Sequence, residues 1–547
     1  MNWKRSWSFK ENYMAVKKAG PVQWCMCLSK FLTGLWAFLM LTFFPLYVHN
    51  RYFEMGVYKF RFFLTVSLCC LLPAGILQVL CLIGGRNWRS PKELCGALST
   101  LDRAMLMYLF AVCISWFGSV DRQQAWTGVE GWYAGLRTQM LLVLLYFLMS
   151  RLFSWKRVIF LGHFCGSAAV FLLGLLHRFK IDPLGMYEGI DESYQLLFLS
   201  TIGQASWYSG YVCIVLVIGV TALFLAQEKV LRAALSGYCA LGFAAVVTQN
   251  SDSAFAAMAA MLFVFFLAAC DSLDAMERFL EIALLMLGSF KTVGILQLIF
   301  PDLAVRLGGL SEFWSRSRQS WFLLLLVCVV YTVFLFYRQK HPEKLLFING
   351  KRMRMLAVGV AVAGICTWVC LIWLNTTGVL ERWIGWKSEQ QYLLFDLKWG
   401  NSRGFIWKFT VRNFSELSFG RKVFGVGPDC FAAYCYGNSS LADELSHYFG
   451  MNQTLTNAHN EFLNALFCTG VLGMAAFGMI FAAAFCRFFG RRNRKTYALA
   501  GALAVLVYAA HNFFGYQQVC CAPFLFLILG MAENLVRRSL EPPESAL

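Results

Sequence analysis

The sequence predicts an all-α polytopic membrane protein of about fourteen transmembrane helices with one large extracytoplasmic loop. Three observations predict it. Hydrophobic residues make up 59% of the 547 and charged residues only 14%, too little charge to cover a soluble chain of this length. Apolar runs recur at roughly the 17–25 residues that cross hydrocarbon as a helix, without the strict alternation of barrel strands. Basic residues gather in alternate connecting segments, as the positive-inside rule requires.

In order, the runs lie at about 31–48, 62–84, 104–118, 138–153, 157–177, 207–226, 231–248, 253–270, 278–299, 320–337, 354–374, 461–486, 497–514 and 519–536. With the N-terminus inside, five groups of basic residues fall in the cytoplasm before the final tail. They are Lys4, Arg5, Lys10, Lys17 and Lys18; Arg86, Arg89 and Lys92; Arg151, Lys156 and Arg157; the stretch Arg338–Arg354; and Arg487, Arg491, Arg492, Arg494 and Lys495. Arg537 and Arg538 complete the pattern. The reverse orientation would place the densest basic clusters outside. The chain thus divides into a cytoplasmic tail (1–30), eleven spans (31–374), an extracytoplasmic loop (375–460), three spans (461–536) and a second cytoplasmic tail (537–547). The formal charge of +18 is a topology signal here, not a nucleic-acid signal.

The twenty cysteines are scattered, mostly within spans, where Cys behaves as a small apolar residue. No paired CxxC motif points to zinc, and no metal or cofactor is expected. Cys430 and Cys435 are the outer-loop pair that admits a disulfide. No small-residue cleavage site follows the basic start.

Three outer segments carry the polar residues of interest. The first, 119–138, holds Gly128, Glu130, Gly131, Trp132, Gly135 and Arg137. Its glycines read first as turn residues, and Glu130 with Arg137 as a local salt bridge or as functional groups. The second, 178–206, ends in Ser200-Thr201-Ile202-Gly203-Gln204, with Gln204 polar at a span entrance. The third is the large loop. Its Trp383, Trp386, Trp399 and Trp407 fit a cap lying on the membrane interface. A helix-like stretch from Ser402 to about Glu416 brings Arg403, Trp407 and Lys408 together. Gly425-Val426-Gly427-Pro428 forms a turn whose amides can approach a ligand. Thr456-Asn457-Ala458-His459-Asn460-Glu461 then runs into the twelfth span. This places His459 where outer water meets the membrane, with Asn457 or Asn460 as helix caps. Lys291, within the ninth span, is a functional suspect because an intramembrane charge is costly. His511-Asn512 and Gln517-Gln518 flank the last outer turn, positioned to roof a cavity.

The order of an arginine-bearing helix, a Gly-Val-Gly-Pro turn and Ala-His-Asn before an apolar span resembles the bacterial O-antigen ligase and O-antigen polymerase superfamily. Gly128 to Leu136, read with Glu130, is similar to that family's first outer loop, and Ser200–Gln204 to its Ser-Thr-Ile-Gly-Asn segment. The likeness runs from about residue 100 to 515. It implies a GT-C-like, inverting, metal-independent glycosyltransferase of the cytoplasmic membrane with its site facing outside. Such an enzyme passes a glycan from undecaprenyl diphosphate to an acceptor glycan or lipid. The family's loop histidine matches His459 and its loop arginine Arg403. An imidazole suits the removal of a proton from an attacking hydroxyl, and a guanidinium suits a departing diphosphate. The alternatives for these two are an interface histidine and a solvated or headgroup-binding arginine.

One departure stands out. The family places an arginine at the turn between the seventh and eighth spans, where this chain has Asn250-Ser251-Asp252-Ser253. Either Arg412, Arg137 or another arginine supplies the second positive charge, or donor handling differs. Asp252 is left to hold a sugar hydroxyl, pair with an arginine, or cap the eighth span. The competing functions are a flippase or transporter of lipid-linked glycan and a peptidoglycan-polymerase relative. The absence of paired repeats disfavours the first. Polymerase and ligase are not separated by sequence.

Overall fold

The computed structural model describes residues 20–84, 93, 96–340, 349–491 and 496–538. Lys4, Arg5, Lys10, Lys17, Lys18, Arg86, Arg89, Lys92, residues 341–348, Arg492, Arg494, Lys495 and the tail from 539 onward lie outside the described residues.

The chain is helical nearly throughout. The longer helices are α1 (Pro21–Thr42), α2 (Met55–Gly84), α3 (Thr100–Phe117), α4 (Leu136–Leu152), α5 (Arg157–His177), α6 (Ala205–Leu225), α7 (Lys229–Thr248) and α8 (Asp252–Ala269). They continue with α9 (Leu273–Ile299), α10 (Arg318–Lys340), α11 (Gly350–Thr376), α12 (Trp399–Glu416), α13 (Glu461–Phe489), α14 (Leu499–Asn512) and α15 (Ala522–Arg538). Among the described residues, eleven helices are long and apolar enough to cross a membrane: α1–α3, α5–α11 and α13. Three other apolar stretches fall on α4, α14 and α15, of 17, 14 and 17 residues, which are shorter than that criterion. Two antiparallel strands of two residues each, β1 (Phe198–Leu199) and β2 (Gly203–Gln204), form a hairpin at the entrance to α6.

Burial sorts the helices. The apolar stretch of α6 is 83% buried, so α6 is the centre of the bundle; that of α10 is 6% buried and that of α11 not at all. Their outward Phe322, Leu325, Val333, Val360 and Ile365 are exposed, which lipid tolerates and water does not. Within α2 a π-helical stretch, Ser67–Leu71, precedes Pro73, whose missing N–H cannot continue the regular ladder.

α13 is broken at Gly470, which has φ 70° and ψ −175°. A break frees the preceding carbonyls, and here neighbours take them up. Val426 N donates to Phe467 O (3.2 Å) and Gly427 N to Cys468 O (2.9 Å). Ser115 Oγ donates to Cys468 O as well (2.9 Å). The expectation that the Gly-Val-Gly-Pro amides face a ligand is therefore corrected: two of them satisfy α13. A Cβ at Gly470 would stand 2.2 Å from Val423 O, and one at Gly425 2.2 Å from Cys468 O. The large loop is sewn to α13 at this point, and its apolar core (Phe405, Phe409, Phe431, Leu445) includes Phe467 of α13.

At the far end of α13, about 25 Å from Gly470 by helix rise to Arg487, buried carboxylates are enclosed by arginines. Asp102 accepts from Tyr146 (2.9 Å) and pairs with Arg151 and Arg537. Glu533 pairs with Arg487 and Arg537. These residues tie α3, α4, α13 and α15 together.

Gly470→Ala forces an alanine into the left-handed region and against the Val423 carbonyl. We expect a loss of about 1–3 kcal/mol or more, read as a lower unfolding temperature and a smaller monodisperse fraction in detergent.

Candidate active site

The regular part of α12 starts at Arg403, because Gly400, Asn401 and Ser402 all take left-handed backbone (φ 58°, 59° and 69°). It ends at Glu416, as the sequence predicts. The left-handed turn aims the Arg403 guanidinium at the α14–α15 turn. There Nε and Nη2 donate to Phe514 O (3.0 and 2.7 Å), and Nη1 donates to Gly400 O (2.5 Å). Among the described residues no carboxylate pairs with it. Burial lowers its pKa, yet a guanidinium stays protonated.

His459 is held from both sides. Asn457 Oδ1 accepts from its backbone N–H (2.9 Å), and Asn460 caps α13 by accepting from Phe462 N and Leu463 N (both 3.0 Å). Asn460 is thus the cap of α13, and Asn457 is not. His459 itself has φ 46°, and its ring stands edge-on to Tyr516, 5.3 Å between centroids. Among the described residues neither ring nitrogen has a hydrogen-bond partner. Burial, with the nearby Arg403 charge, lowers the ring's pKa to about 4.

Arg403 and His459 open on one cavity of about 360 Å³. Gln204, Asn401, Ser402, Gln453, His511 and Gln518 also line it. Tyr516 organises the wall. Its hydroxyl donates to Gln204 Oε1 (3.2 Å) and accepts from Trp207 Nε1 (3.2 Å), and its ring packs on Trp132. Burial pushes the phenol up to about 12, so it keeps its proton. Gln518 Oε1 is buried without a partner. Arg403 is the only Lys or Arg among the described lining residues.

Several expected residues are elsewhere. Arg412 pairs with Glu444 (2.5 Å) and lies over the Phe409 ring. Arg137 lies over Phe60, with its Nε buried and unpartnered. Neither lines the cavity. Glu130 is exposed and makes no pair with Arg137. Trp407 sits behind the wall, stacked on Phe514 at 6.2 Å, and so steadies the carbonyl that Arg403 uses. Trp383 and Trp386 remain exposed. Asp252 does not cap α8, whose N-cap is Ser251, and among the described residues it forms no direct ion pair with an arginine, although its charge acts on Arg403 through space. It accepts from Leu310 N (3.0 Å) and Tyr392 OH (2.9 Å), tying the α9–α10 segment and the large loop to α8. Lys291 is satisfied by Ser315 O (3.4 Å), Ser317 O (3.2 Å) and Ser320 Oγ. Cys430 and Cys435 are both free thiols. No group of three or more His, Cys, Asp or Glu among the described residues is placed to hold a metal.

Sequence reasoning missed Tyr516, Asp429 and Glu461. Asp429 accepts from Val129 N (2.8 Å) and Ala134 N (3.0 Å) and so fastens the first outer loop beside the cavity. The signal was there: a lone acid after the glycine–proline turn, opposite a glycine-rich loop with spare amides.

Residues 303–478 match the family described as O-antigen ligase. This segment is similar to the O-antigen ligase family. It carries Arg403 and His459, whereas Gln204, His511, Tyr516 and Gln518 come from outside the matched residues. No curated protein matches the chain. O-antigen ligase proteins are glycosyltransferase-like enzymes of envelope polysaccharide synthesis that use lipid-linked glycans. The present chain is a multi-pass membrane protein.

Asp429→Ala strands two backbone amides. We expect a loss of about 2 kcal/mol, measured by unfolding in detergent. Burial raises the Asp429 carboxyl to about 7 from its ordinary 3.8. Its contribution to stability is therefore full below the ordinary value and is lost as pH rises toward about 7. Asp429→Asn keeps an acceptor for both amides and should remove that loss from the stability–pH profile.

Proposed function

We propose that this protein transfers a glycan from a polyprenyl-diphosphate donor, of the undecaprenyl type, to an acceptor hydroxyl on the outer face of the cytoplasmic membrane. The observation that carries the reading is the meeting of His459 and Arg403 in one polar cavity, both on the segment similar to the O-antigen ligase family. The positive-inside pattern supports an outward-facing cavity.

His459 removes the proton from the attacking hydroxyl. Its ring is neutral at physiological pH and its nitrogens have no partner among the described residues, so a substrate hydroxyl meets no competitor there. Arg403 holds the diphosphate as negative charge builds on the leaving oxygen. Its fork is already oriented by the Phe514 carbonyl, so little reorganisation is required at the moment of transfer. Attack from the side opposite the diphosphate inverts the anomeric centre, and neither role calls for a metal. Gln204 and the neighbouring carboxamides and hydroxyls offer neutral donors and acceptors to sugar hydroxyls. Polymerisation and ligation use the same geometry and differ in the acceptor.

His459→Ala should lower product formation by roughly 10²–10⁴-fold with the unfolding temperature preserved, assayed with a lipid-linked oligosaccharide in proteoliposomes. Wild-type activity in that variant would remove the base assignment. Arg403→Lys keeps the charge and loses the fork. A reduction of about 100-fold is expected, with Arg403→Ala lower still. A base whose pKa is lowered to about 4 loses activity only as pH falls toward that value. The acid limb of the rate profile should therefore lie well below the 6.5 of an ordinary histidine.

A further inference from the structure

A chain of buried polar side chains runs along the cavity wall from α6 to α13. Ser209 Oγ lies 2.7 Å from His511 Nε2, and His511 Nδ1 lies 2.8 Å from Asn512 Oδ1. Asn512 Nδ2 donates to Glu461, which also accepts from Tyr508 OH at 3.0 Å. His511, Asn512 and Glu461 are 3%, 1% and 6% exposed. His511 lines the large cavity; Glu461 lines a separate one of about 50 Å³ together with Asp429 and Gln139.

The directions of these bonds are constrained. A carboxamide oxygen only accepts, so His511 Nδ1 carries a hydrogen. The second proton site is then Nε2, facing Ser209. The Ser209 hydroxyl donates either to that nitrogen or to Ser206 O, 3.0 Å away. When it turns to Ser206, its oxygen accepts from a protonated Nε2. The network therefore holds neutral imidazole and imidazolium with equal satisfaction. Glu461 accepts two hydrogen bonds and stands in the first turn of α13, where the helix N-terminus favours negative charge. One amide links that carboxylate to the ring.

Arg403 is the only guanidinium or ammonium on the described cavity wall, and a diphosphate carries more than one negative charge. We propose that His511 supplies the second positive charge, taking up one proton from solvent at Nε2 when a diphosphate group enters the cavity and returning it on release. Asn512 and Glu461 hold the imidazolium. The inference rests on the reading of the cavity as a diphosphate site. Both ring nitrogens are engaged by protein, so the charge acts through space and His511 is a positioning residue, not one that touches substrate. The surrounding groups explain the coupling. Arg403 from α12 and, when protonated, His459 from the end of the loop oppose a proton on His511; Glu461 from α13 favours it. Tyr508, Tyr516, Tyr108 and Cys521 around the network are uncharged. In the empty cavity burial weighs most against protonation and the Arg403 charge adds to it, and the charge of an arriving anion opposes both.

The test uses the full-length protein in detergent, with farnesyl diphosphate as probe, titrated calorimetrically at about pH 8 where the phosphate ester is ionised. Buffers of different ionisation enthalpy report proton uptake. Wild type should take up about one proton per ligand, and its affinity should weaken as pH rises. His511→Gln and Glu461→Gln should each abolish the uptake and weaken binding roughly 10-fold or more, about the effect of one charge-assisted contact. Unchanged unfolding temperatures would show the variants folded; should His511→Gln not fold, His511→Asn carries the test, because Glu461 is itself titratable. Undiminished proton uptake in a folded His511 variant overturns the role of His511, while the diphosphate reading survives if Arg403→Ala abolishes binding. Failure of wild type to bind the probe overturns the diphosphate reading itself.

Discussion

The break in α13 at Gly470 is the constraint on which the outer half of the molecule depends. A continuous helix would satisfy its own carbonyls and leave the large loop with no backbone attachment there. The break exposes Phe467 O and Cys468 O, and the Val426 and Gly427 amides take them. Residues 425 and 470 approach each other too closely for any side chain. The loop is thereby fixed to the same helix whose first turn follows His459. With the start of that helix set by the Asn460 cap and the Asn457 turn, the histidine's position follows from backbone hydrogen bonds and not from its own side chain. This leaves the ring nitrogens free for chemistry.

The turn between α14 and α15 joins what the loop and bundle bring. Phe514 gives its carbonyl to Arg403, and Tyr516 joins Gln204, Trp207, Trp132 and His459. Three segments distant in sequence therefore form one wall through a single aromatic hydroxyl and one carbonyl. The wall is polar but, apart from Arg403, made of neutral groups and histidines. Such a surface suits hydroxyl-rich rings bearing one anionic substituent better than it suits a cation, for which the lining provides no carboxylate.

The fold was legible because hydrocarbon imposes a length and a composition on every helix, and each apolar run fell on a helix. The resemblance to the O-antigen ligase superfamily singled out His459 and Arg403, and a polar type at a span entrance singled out Gln204. The structure brings these three to one cavity. What failed depended on side-chain partners distant in sequence. Arg412 is one helix face away from Arg403 and meets Glu444; Asp252 meets Tyr392 across the loop; Lys291 meets serine carbonyls beyond the end of α9. None of these pairings leaves a mark in spacing. The Gly-Val-Gly-Pro turn was located correctly and its purpose misread, because the kink that consumes its amides lies at an isolated glycine inside an otherwise regular apolar run.

The two ends of α13 show how differently one chain can treat buried charge. At one end Asp102 and Glu533 are enclosed with Arg151, Arg487 and Arg537, in direct ion pairs. A buried, directly paired set adds little net stability but resists rearrangement, which suits the end that only holds helices together. At the other end Arg403 has carbonyls and no carboxylate, and the nearest buried acid of that network, Glu461, is separated from His511 by an amide. A cation without a direct ion pair, the Asp252 carboxylate acting on it only through space, is electrostatically costly in a half-buried cavity, and an anion entering from outside relieves that cost. A chain that pairs its buried charges so closely at one end had the means to do so at the other. The unmatched arginine is therefore best understood as a site held ready for an anionic group that the protein itself does not supply.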